Sequence, residues 1–142
     1  MEQTYPSKPF IVISFIDPGD SKPKITSVNR EDILTIEVSD VDDPVFAKKY
    51  GKKLLTDEQA GEIIDFTFKN LDKIEEIHCH CNAGISRSSG TIAALSRILL
   101  GDDQDIFDNP LKLPNMHIYR KLLNYAYENN FWDPFSDNSD KG

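Results

Sequence analysis

The sequence predicts an α/β fold in which a mostly parallel central sheet is flanked by helices in three layers. Strand-like and helix-like runs alternate along the chain, which is typical of this class. The run FIVISFI at 10–16 is almost entirely apolar, as expected for a strand buried on both faces of a parallel sheet. The run from Ile74 to His80 ends in a glycine-containing turn that leads directly into a helix-like run. Ligands bind at the carboxyl ends of the strands in such sheets, so we expect a site at this turn.

The other elements have recognisable local signals. ILTIEV at 33–38 predicts the second core strand. Thr56 and Gln59 form a capping box that begins the first helix. Gly101 ends the second helix, Arg87 to Leu100. The remaining predictions are a weak edge strand near Ile25, a solvated surface loop from Val45 to Leu55, a short turn or helical piece at 102–109, a last helix from Met116 to Asn129 with His117 on its surface, and Phe131 and Trp132 docked on the core.

Length and composition limit what the chain can do. A chain of 142 residues can form one domain with its own core, which we place at 10–132, with residues 133–142 as a flexible tail. The net charge of −8 argues against nucleic acid and anionic membranes as partners. No apolar run approaches the ~20 residues of a membrane-spanning helix, and the start of the chain lacks the pattern of a signal peptide. We therefore expect a cytoplasmic protein.

The turn after the third strand has the features of a phosphate site. Five residues separate Cys81 from Arg87, and Gly84 among them allows a tight curl of the backbone. The N–H groups of such a turn and of the following helix N-terminus converge on one place and bind anions. Arg87 adds a planar fork that can bind two phosphate oxygens, and the same positive field favours the nucleophilic thiolate form of Cys81. The hydroxyl of Ser88 can donate a hydrogen bond to the sulfur and make it a better leaving group.

These residues resemble the signature of the cysteine-dependent protein tyrosine and dual-specificity phosphatases. His80, Cys81, Gly84, Arg87 and Ser88 match its fixed positions. The resemblance extends more weakly over 10–132 and is greatest to small, compact bacterial or viral members. It implies a tyrosine-phosphatase-like fold in which the Cys81 thiolate attacks phosphorus and Ser88 assists its later departure. Arg87 and the backbone N–H groups of the loop residues would bind the phosphoryl group; these loop residues are Asn82, Ala83, Gly84, Ile85 and Ser86.

The family also uses an aspartate as general acid, in a loop that follows a core strand upstream of the cysteine. Asp40 stands at the expected place after the second strand, and Asp42 and Asp43 are the alternatives. A carboxylic acid there would protonate the leaving oxygen and then act as base toward the attacking water. The tryptophan-proline-aspartate triplet of the larger tyrosine phosphatases is absent from the sequence, which favours the compact dual-specificity-like type.

The resemblance implies hydrolysis of phosphotyrosine in phosphorylated proteins or peptides, and it leaves open whether phosphoserine and phosphothreonine are substrates as well. A cysteinyl-phosphate intermediate would form, and no metal or cofactor would be needed. One alternative is a non-protein substrate, either an inositol phosphate or lipid or an RNA 5′-triphosphate. Family members that act on phosphoinositides carry lysines where this chain has the neutral Ala83 and Ile85. The other alternative is a phosphate-binding module with weak or no turnover.

The histidines and the second cysteine near the turn have simpler interpretations. Cys79 is predicted to be a small buried strand residue; the alternative is a resolving thiol for an oxidised Cys81. Alternation along a strand puts His78 and His80 on one face and the cysteines on the other, so these four neighbours cannot surround one tetrahedral metal. We expect His80 to hold the backbone of the loop in shape.

Two further features lie away from this turn. Lys48, Lys49, Lys52 and Lys53 are predicted to be a solvated surface, with a basic rim for acidic phosphopeptides as the alternative. Asn115 is predicted to cap the last helix, or else to brace the site.

Overall fold

The described part of the chain contains a parallel three-stranded sheet. The computed structural model describes residues 8–19, 30–41, 43–81, 86–108 and 114–133. The strand order is β2-β1-β3, and both neighbours of β1 run parallel to it. The strands are β1 (Phe10–Ile16), β2 (Arg30–Glu37) and β3 (Glu76–Cys81).

Helices flank this sheet, and the predicted α/β class is confirmed. The helices are α1 (Pro44–Tyr50), α2 (Asp57–Asn70), α3 (Ser86–Leu100), α4 (Gln104–Asp108) and α5 (Met116–Glu128), with a 3₁₀ turn at Leu71–Lys73. Helices α2 and α3 contact the sheet, and α5 packs against both of them. Among the described helices, none is both long enough and apolar enough to cross a membrane.

The core is built from one side-chain face of each strand. Ile11, Ile13 and Phe15 of β1 alternate toward α2, α3 and α5, and Cys79 and Cys81 of β3 join the same cluster. The intervening residues of β1 are buried as well, so this central strand is covered on both faces. This explains why the sequence of β1 is almost continuously apolar.

The ends of the helices follow the predicted caps. The Thr56 hydroxyl accepts from the Gln59 N–H at 3.1 Å, and the Gln59 side chain accepts from the Thr56 N–H at 3.0 Å. Gly101 follows α3 with a φ of 77° and donates its N–H to the carbonyl of Arg97. Phe131 and Trp132 pack against the core, as predicted.

Three predictions about the elements are corrected. The expected loop from Val45 to Leu55 begins with helix α1, because Asp43 caps its first turn, Pro44 suits its first position, and Gly51 ends it with a φ of 65°. Strand β2 begins at Arg30 rather than Ile33. His117 is half-buried, with Nε2 at 3.1 Å from the Leu55 carbonyl oxygen, instead of lying on the surface.

Two other predictions lie outside the described residues. They are the edge strand near Ile25 and the tail after residue 133.

Candidate active site

The signature cysteine and the serine that follows the arginine come together at the carboxyl end of β3. Cys81 is the last residue of that strand, and Ser88 lies in the first turn of α3. The Cys81 Sγ and the Ser88 Oγ are 3.3 Å apart, which is within hydrogen-bonding distance for sulfur. Strand β3 fixes the position of the Cys81 sulfur, and helix α3 fixes the position of the Ser88 hydroxyl. A hydroxyl there can donate to a thiolate, the role that the sequence predicts for Ser88.

Arg87 places a positive charge at the same edge of the sheet. Its side chain is only 2% exposed, and Nη1 donates to Asp17 Oδ1 at 2.8 Å and to the Val38 carbonyl oxygen at 2.9 Å. Asp17 follows β1 and Val38 follows β2, so Arg87 joins the carboxyl ends of the two strands that neighbour each other in the sheet. Both of these hydrogen bonds are donated by Nη1. They therefore differ from the bidentate contact in which a guanidinium binds two oxygens of one anion through two nitrogens.

Asp17 is the residue of this site that sequence reasoning missed. The segment from Asp17 to Asp20 reads as a turn between strands, and nothing local distinguishes its first aspartate from the others. The available signal was its position directly after a buried parallel strand, at the edge where such sheets bind ligands. Its partner Arg87 is 70 positions away in the sequence, so only the folded chain shows the pair.

Asn115 connects three parts of the site. Its side-chain oxygen accepts from the Ile118 N–H at 3.0 Å and caps α5, while its Nδ2 donates to the Val41 carbonyl oxygen at 2.9 Å. Its backbone N–H donates to the Ser86 carbonyl oxygen at 2.9 Å. Asn115 therefore holds both the segment that follows Asp40 and the start of the helix that carries Arg87. Capping and bracing, which the sequence posed as alternatives, are combined in one buried side chain.

The contact with α3 depends on a glycine. A Cβ atom added to Gly90 would lie 2.6 Å from the Asn115 carbonyl oxygen and 3.1 Å from its backbone nitrogen. The absence of a side chain at Gly90 lets α3 approach this turn closely.

Asp40 lies in a loop that is closed at its base. The Ser39 N–H donates to the Lys53 carbonyl at 2.8 Å, and the Lys53 N–H donates to the Ser39 Oγ at 3.0 Å. We call the segment between these residues the 39–53 loop. It contains Asp40, which is exposed, and Asp43, whose carboxylate accepts from the Val45 N–H at 2.9 Å as the cap of α1. Asp43 thus has a structural task, and Asp42 lies outside the described residues.

Of the predicted phosphate loop, the structure describes the two ends. Cys81 ends β3, and Ser86 and Arg87 begin α3. Asn82, Ala83, Gly84 and Ile85 lie outside the described residues, and so does any contact of His80 with their backbone.

The two histidines of β3 differ in their surroundings. His78 packs on Phe10 with ring centroids 4.6 Å apart, and its Nε2 lies 2.9 Å from Glu76 Oε1. Desolvation and, to a smaller extent, the neighbouring charge of His78 lower the pKa of His80 below the ordinary histidine value. A lowered pKa favours the neutral form of the His80 ring, which lies on the face of β3 opposite the cysteines.

Cys79 precedes Cys81 by two positions on β3 and is half-buried. Burial, and secondarily the nearby Cys81, raise the pKa of the Cys79 thiol far above its usual range. A thiol that stays protonated is a poor nucleophile and a poor resolving partner for an oxidised cysteine. Cys79 was predicted to be buried; it is half-buried and packs against the core cluster, so the prediction holds in part.

A shallow cleft of about 1240 Å³ lies elsewhere, and part of it is lined by α2 and α5. Neither Cys81 nor Arg87 lines this cleft, and the negative charge of its lining would repel a phosphate. The carboxylates in its lining belong to Glu37, Asp57, Glu58, Glu62, Asp65 and Glu128.

The fold resembles that of a tyrosine-phosphatase-like protein. The crystal structure of human tyrosine phosphatase-like serine/threonine/tyrosine-interacting protein matches with a TM-score of 0.56 and 20% sequence identity, over 86% of this chain and 79% of that one. At this identity the similarity shows a shared fold. No protein-family model and no curated protein sequence matches the chain. The phosphatase-like fold implied by the sequence is confirmed, and the likeness to bacterial or viral members stays a prediction.

Proposed function

We propose that this protein hydrolyses the phosphate ester of phosphotyrosine in protein substrates. Phosphoserine and phosphothreonine are a second class of target. In this proposal Cys81 is the nucleophile, Arg87 binds the phosphoryl group, Asp40 is the general acid and base, and Ser88 assists thiolate departure. The observation that supports it best is the position of Cys81 Sγ, 3.3 Å from Ser88 Oγ, at the sheet edge that also holds the buried Arg87.

The reaction proceeds in two steps. The Cys81 thiolate attacks phosphorus, the bond from phosphorus to the substrate oxygen breaks, and Asp40 gives its proton to that oxygen. Water then attacks the cysteinyl phosphate, Asp40 takes a proton from the water, and the sulfur leaves as a thiolate that accepts a hydrogen bond from Ser88. Arg87 and the backbone N–H groups of the loop from Asn82 to Ser86 bind the three phosphoryl oxygens and stabilise their charge in both transition states.

The test is hydrolysis of p-nitrophenyl phosphate and of a phosphotyrosine peptide as a function of pH. The wild type should give a bell-shaped profile, and Cys81→Ser should abolish turnover. Asp40→Asn should lower kcat on the peptide by about 10²-fold and flatten the alkaline limb of the profile. Asp43→Asn is the matched control, because it removes the neighbouring carboxylate charge and keeps both an oxygen to cap α1 and the proposed acid. If Asp43→Asn gives the larger loss and Asp40→Asn none, the general acid is assigned to the wrong residue.

A phosphate-binding module is the second candidate. Its support is that the cation of Arg87 is already paired with a carboxylate of this chain, Asp17, at 2.8 Å. A carboxylate this close opposes the binding of a dianion and can limit turnover. A wild-type protein that binds phosphate or vanadate but releases no p-nitrophenol would favour this candidate over the enzyme.

A non-protein substrate is separated from a protein substrate by the same assay. An inositol phosphate or an RNA 5′-triphosphate would have to give a higher kcat/KM than the phosphopeptide.

A further inference from the structure

Helix α1 exposes an apolar surface that the core does not use. Among its residues only Ala47 is buried. The side chains of Val45, Phe46 and Tyr50 are 77%, 44% and 55% exposed. The rings of Phe46 and Tyr50 pack on each other with centroids 4.6 Å apart, so part of this surface is already ordered. Exposed apolar side chains that cluster on one short element are typical of a contact surface.

A cluster of four lysines begins in the last turn of the same helix. Lys48 and Lys49 lie in its last turn, and Lys52 and Lys53 follow it; all four are exposed. No acidic residue occurs from 44 to 56, although the chain as a whole carries a net charge of −8. Within the described ranges, no carboxylate forms an ion pair with any of these four lysines. We call Val45, Phe46, Lys48, Lys49 and Tyr50 the α1 surface.

The position of the α1 surface relates it to the candidate active site. Helix α1 lies within the 39–53 loop, whose base is closed by the two hydrogen bonds between Ser39 and Lys53. The same loop carries Asp40, four positions before Pro44. Val38, which precedes the loop, accepts a hydrogen bond from Arg87. Because both ends of the loop lie directly after Val38 or bond to Ser39, α1 is tethered to the edge of the sheet that holds Arg87.

We propose that the α1 surface binds the part of a phosphoprotein substrate that flanks the phosphorylated residue, through acidic side chains and one apolar side chain. This inference rests on the proposed phosphatase function and names the substrate class. Acidic residues of the substrate pair with Lys48 and Lys49, and the apolar residue packs on Val45 and Phe46. The helix is about 10 Å long, which corresponds to about three residues of an extended peptide.

Charge complementarity is the reason to expect an acidic peptide. A chain with a net charge of −8 repels acidic substrates at long range, and Lys48 and Lys49 oppose this repulsion locally at the α1 surface. Substrates with acidic residues next to the phosphate would therefore be oriented toward the site as they approach. This effect depends on ionic strength, because exposed charges are screened over about 10 Å at 0.1 M salt.

The experiment compares kcat/KM on two phosphotyrosine peptides and on p-nitrophenyl phosphate. One peptide has acidic residues and a leucine beside the phosphotyrosine, and the other has serines at those positions. The wild type should prefer the acidic peptide by about tenfold at low salt, and the preference should fall as salt increases. The double variant Lys48→Gln/Lys49→Gln should lose most of this preference and keep its activity on p-nitrophenyl phosphate.

Two further variants make the test specific. Lys8→Gln/Lys73→Gln is the matched control, since both lysines are exposed and precede the amino ends of β1 and β3, at the opposite edge of the sheet. It changes the net charge equally and should keep the full preference. Val45→Ser tests the apolar contact, and should weaken only the peptide that carries leucine. Val45 is 77% exposed, so its replacement leaves the fold intact.

The outcomes separate this inference from the proposed function. Turnover of p-nitrophenyl phosphate with equal kcat/KM on both peptides overturns the α1 inference alone. If no substrate is turned over, the binding of fluorescently labelled peptides to the same variants still tests the inference. Loss of affinity for the acidic peptide in Lys48→Gln/Lys49→Gln supports it, and unchanged affinity overturns it. Binding of the wild type to vesicles of anionic phospholipid, with no discrimination between the peptides, overturns it in favour of a membrane surface.

Discussion

Arg87 carries its positive charge where water hardly reaches it. An isolated buried charge costs several kcal/mol, and the hydrogen bonds of Arg87 to Asp17 and to the Val38 carbonyl offset part of that cost. Asp17 is half-exposed, which leaves its carboxylate partly hydrated while it holds the guanidinium in place. In the proposed reaction, the pair would give Arg87 a fixed orientation before phosphate binds. Such preorganisation reduces the cost of ordering the side chain in the transition state.

We therefore expect Asp17 to act as a positioning residue. Asp17→Ala should lower kcat/KM on p-nitrophenyl phosphate by about tenfold or more, because the guanidinium loses its orienting partner. Asp17→Asn keeps a side-chain oxygen as acceptor and should recover most of the activity. The measurement is steady-state kinetics together with phosphate inhibition for both variants. Equal losses in the two variants would mean that charge, rather than position, is the contribution of Asp17. Higher activity in both would instead mark Asp17 as a competitor of the phosphate.

At the scale of the elements, the start of α5 controls where Asp40 is held. Helix α5 begins at the Asn115 cap, and the same side chain reaches back to Val41 in the 39–53 loop. The Asn115 N–H contacts the first residue of α3, and Gly90 makes room for that approach. The turn at Asn115 thus holds together the 39–53 loop, which would carry the acid, and the start of α3, which would carry the cation.

Replacing Asn115 should separate capping from bracing. Asn115→Ser keeps a cap for α5 but is too short to reach the Val41 carbonyl, so stability should fall by about 1 kcal/mol while kcat falls several-fold. Asn115→Ala should lose about 1 kcal/mol more and have a similar kcat. Urea unfolding and steady-state kinetics measure the two effects. Thr56→Ala is the control, since it removes a cap of the same kind from α2 and should leave kcat unchanged.

At the scale of the whole molecule, the sequence was sufficient for the elements with strong local signals. The apolar run of β1, the capping box of α2 and the glycine after α3 each determine an element locally, and each was predicted correctly. Helix α1 was missed because its seven residues carry too little periodicity, and its formation depends on Asp43, Pro44 and Gly51 at its ends.

The candidate site was predictable from spacing alone only where it is contiguous in sequence; Asp40 came from the family resemblance. Cys81, Arg87 and Ser88 belong to one turn, so their spacing indicates their chemistry directly. Asp17 becomes important only because β1 lies in the middle of the sheet, and Asn115 contacts Val41 across 74 positions. Contacts of this kind depend on the topology of the fold, which local sequence patterns do not specify.

Binding of an anion at the Cys81 turn should stabilise the whole chain, because β3, α3 and the ends of the other strands meet there. We expect one cooperative unfolding transition, consistent with a single domain. Orthophosphate at ten times its dissociation constant should contribute about 1.4 kcal/mol, or a rise of about 3–5 °C in the unfolding midpoint. Differential scanning fluorimetry with chloride at matched ionic strength measures this effect. Arg87→Lys should remove most of the rise, and two separate transitions in the wild type would contradict the single-domain prediction.

The two hydrogen bonds between Ser39 and Lys53 also determine how this scaffold can diversify. A loop whose two ends are hydrogen-bonded to each other can change its contents at little expense to the rest, because doubling its length adds only about 0.6 kcal/mol of closure entropy. Positions 43–52 can therefore be substituted, extended by insertion or exchanged for a segment of another protein while Val38, Asp40 and Arg87 keep their positions. If the α1 surface selects substrates as proposed, selectivity can change by exchange of this loop while the residues of the candidate site stay the same.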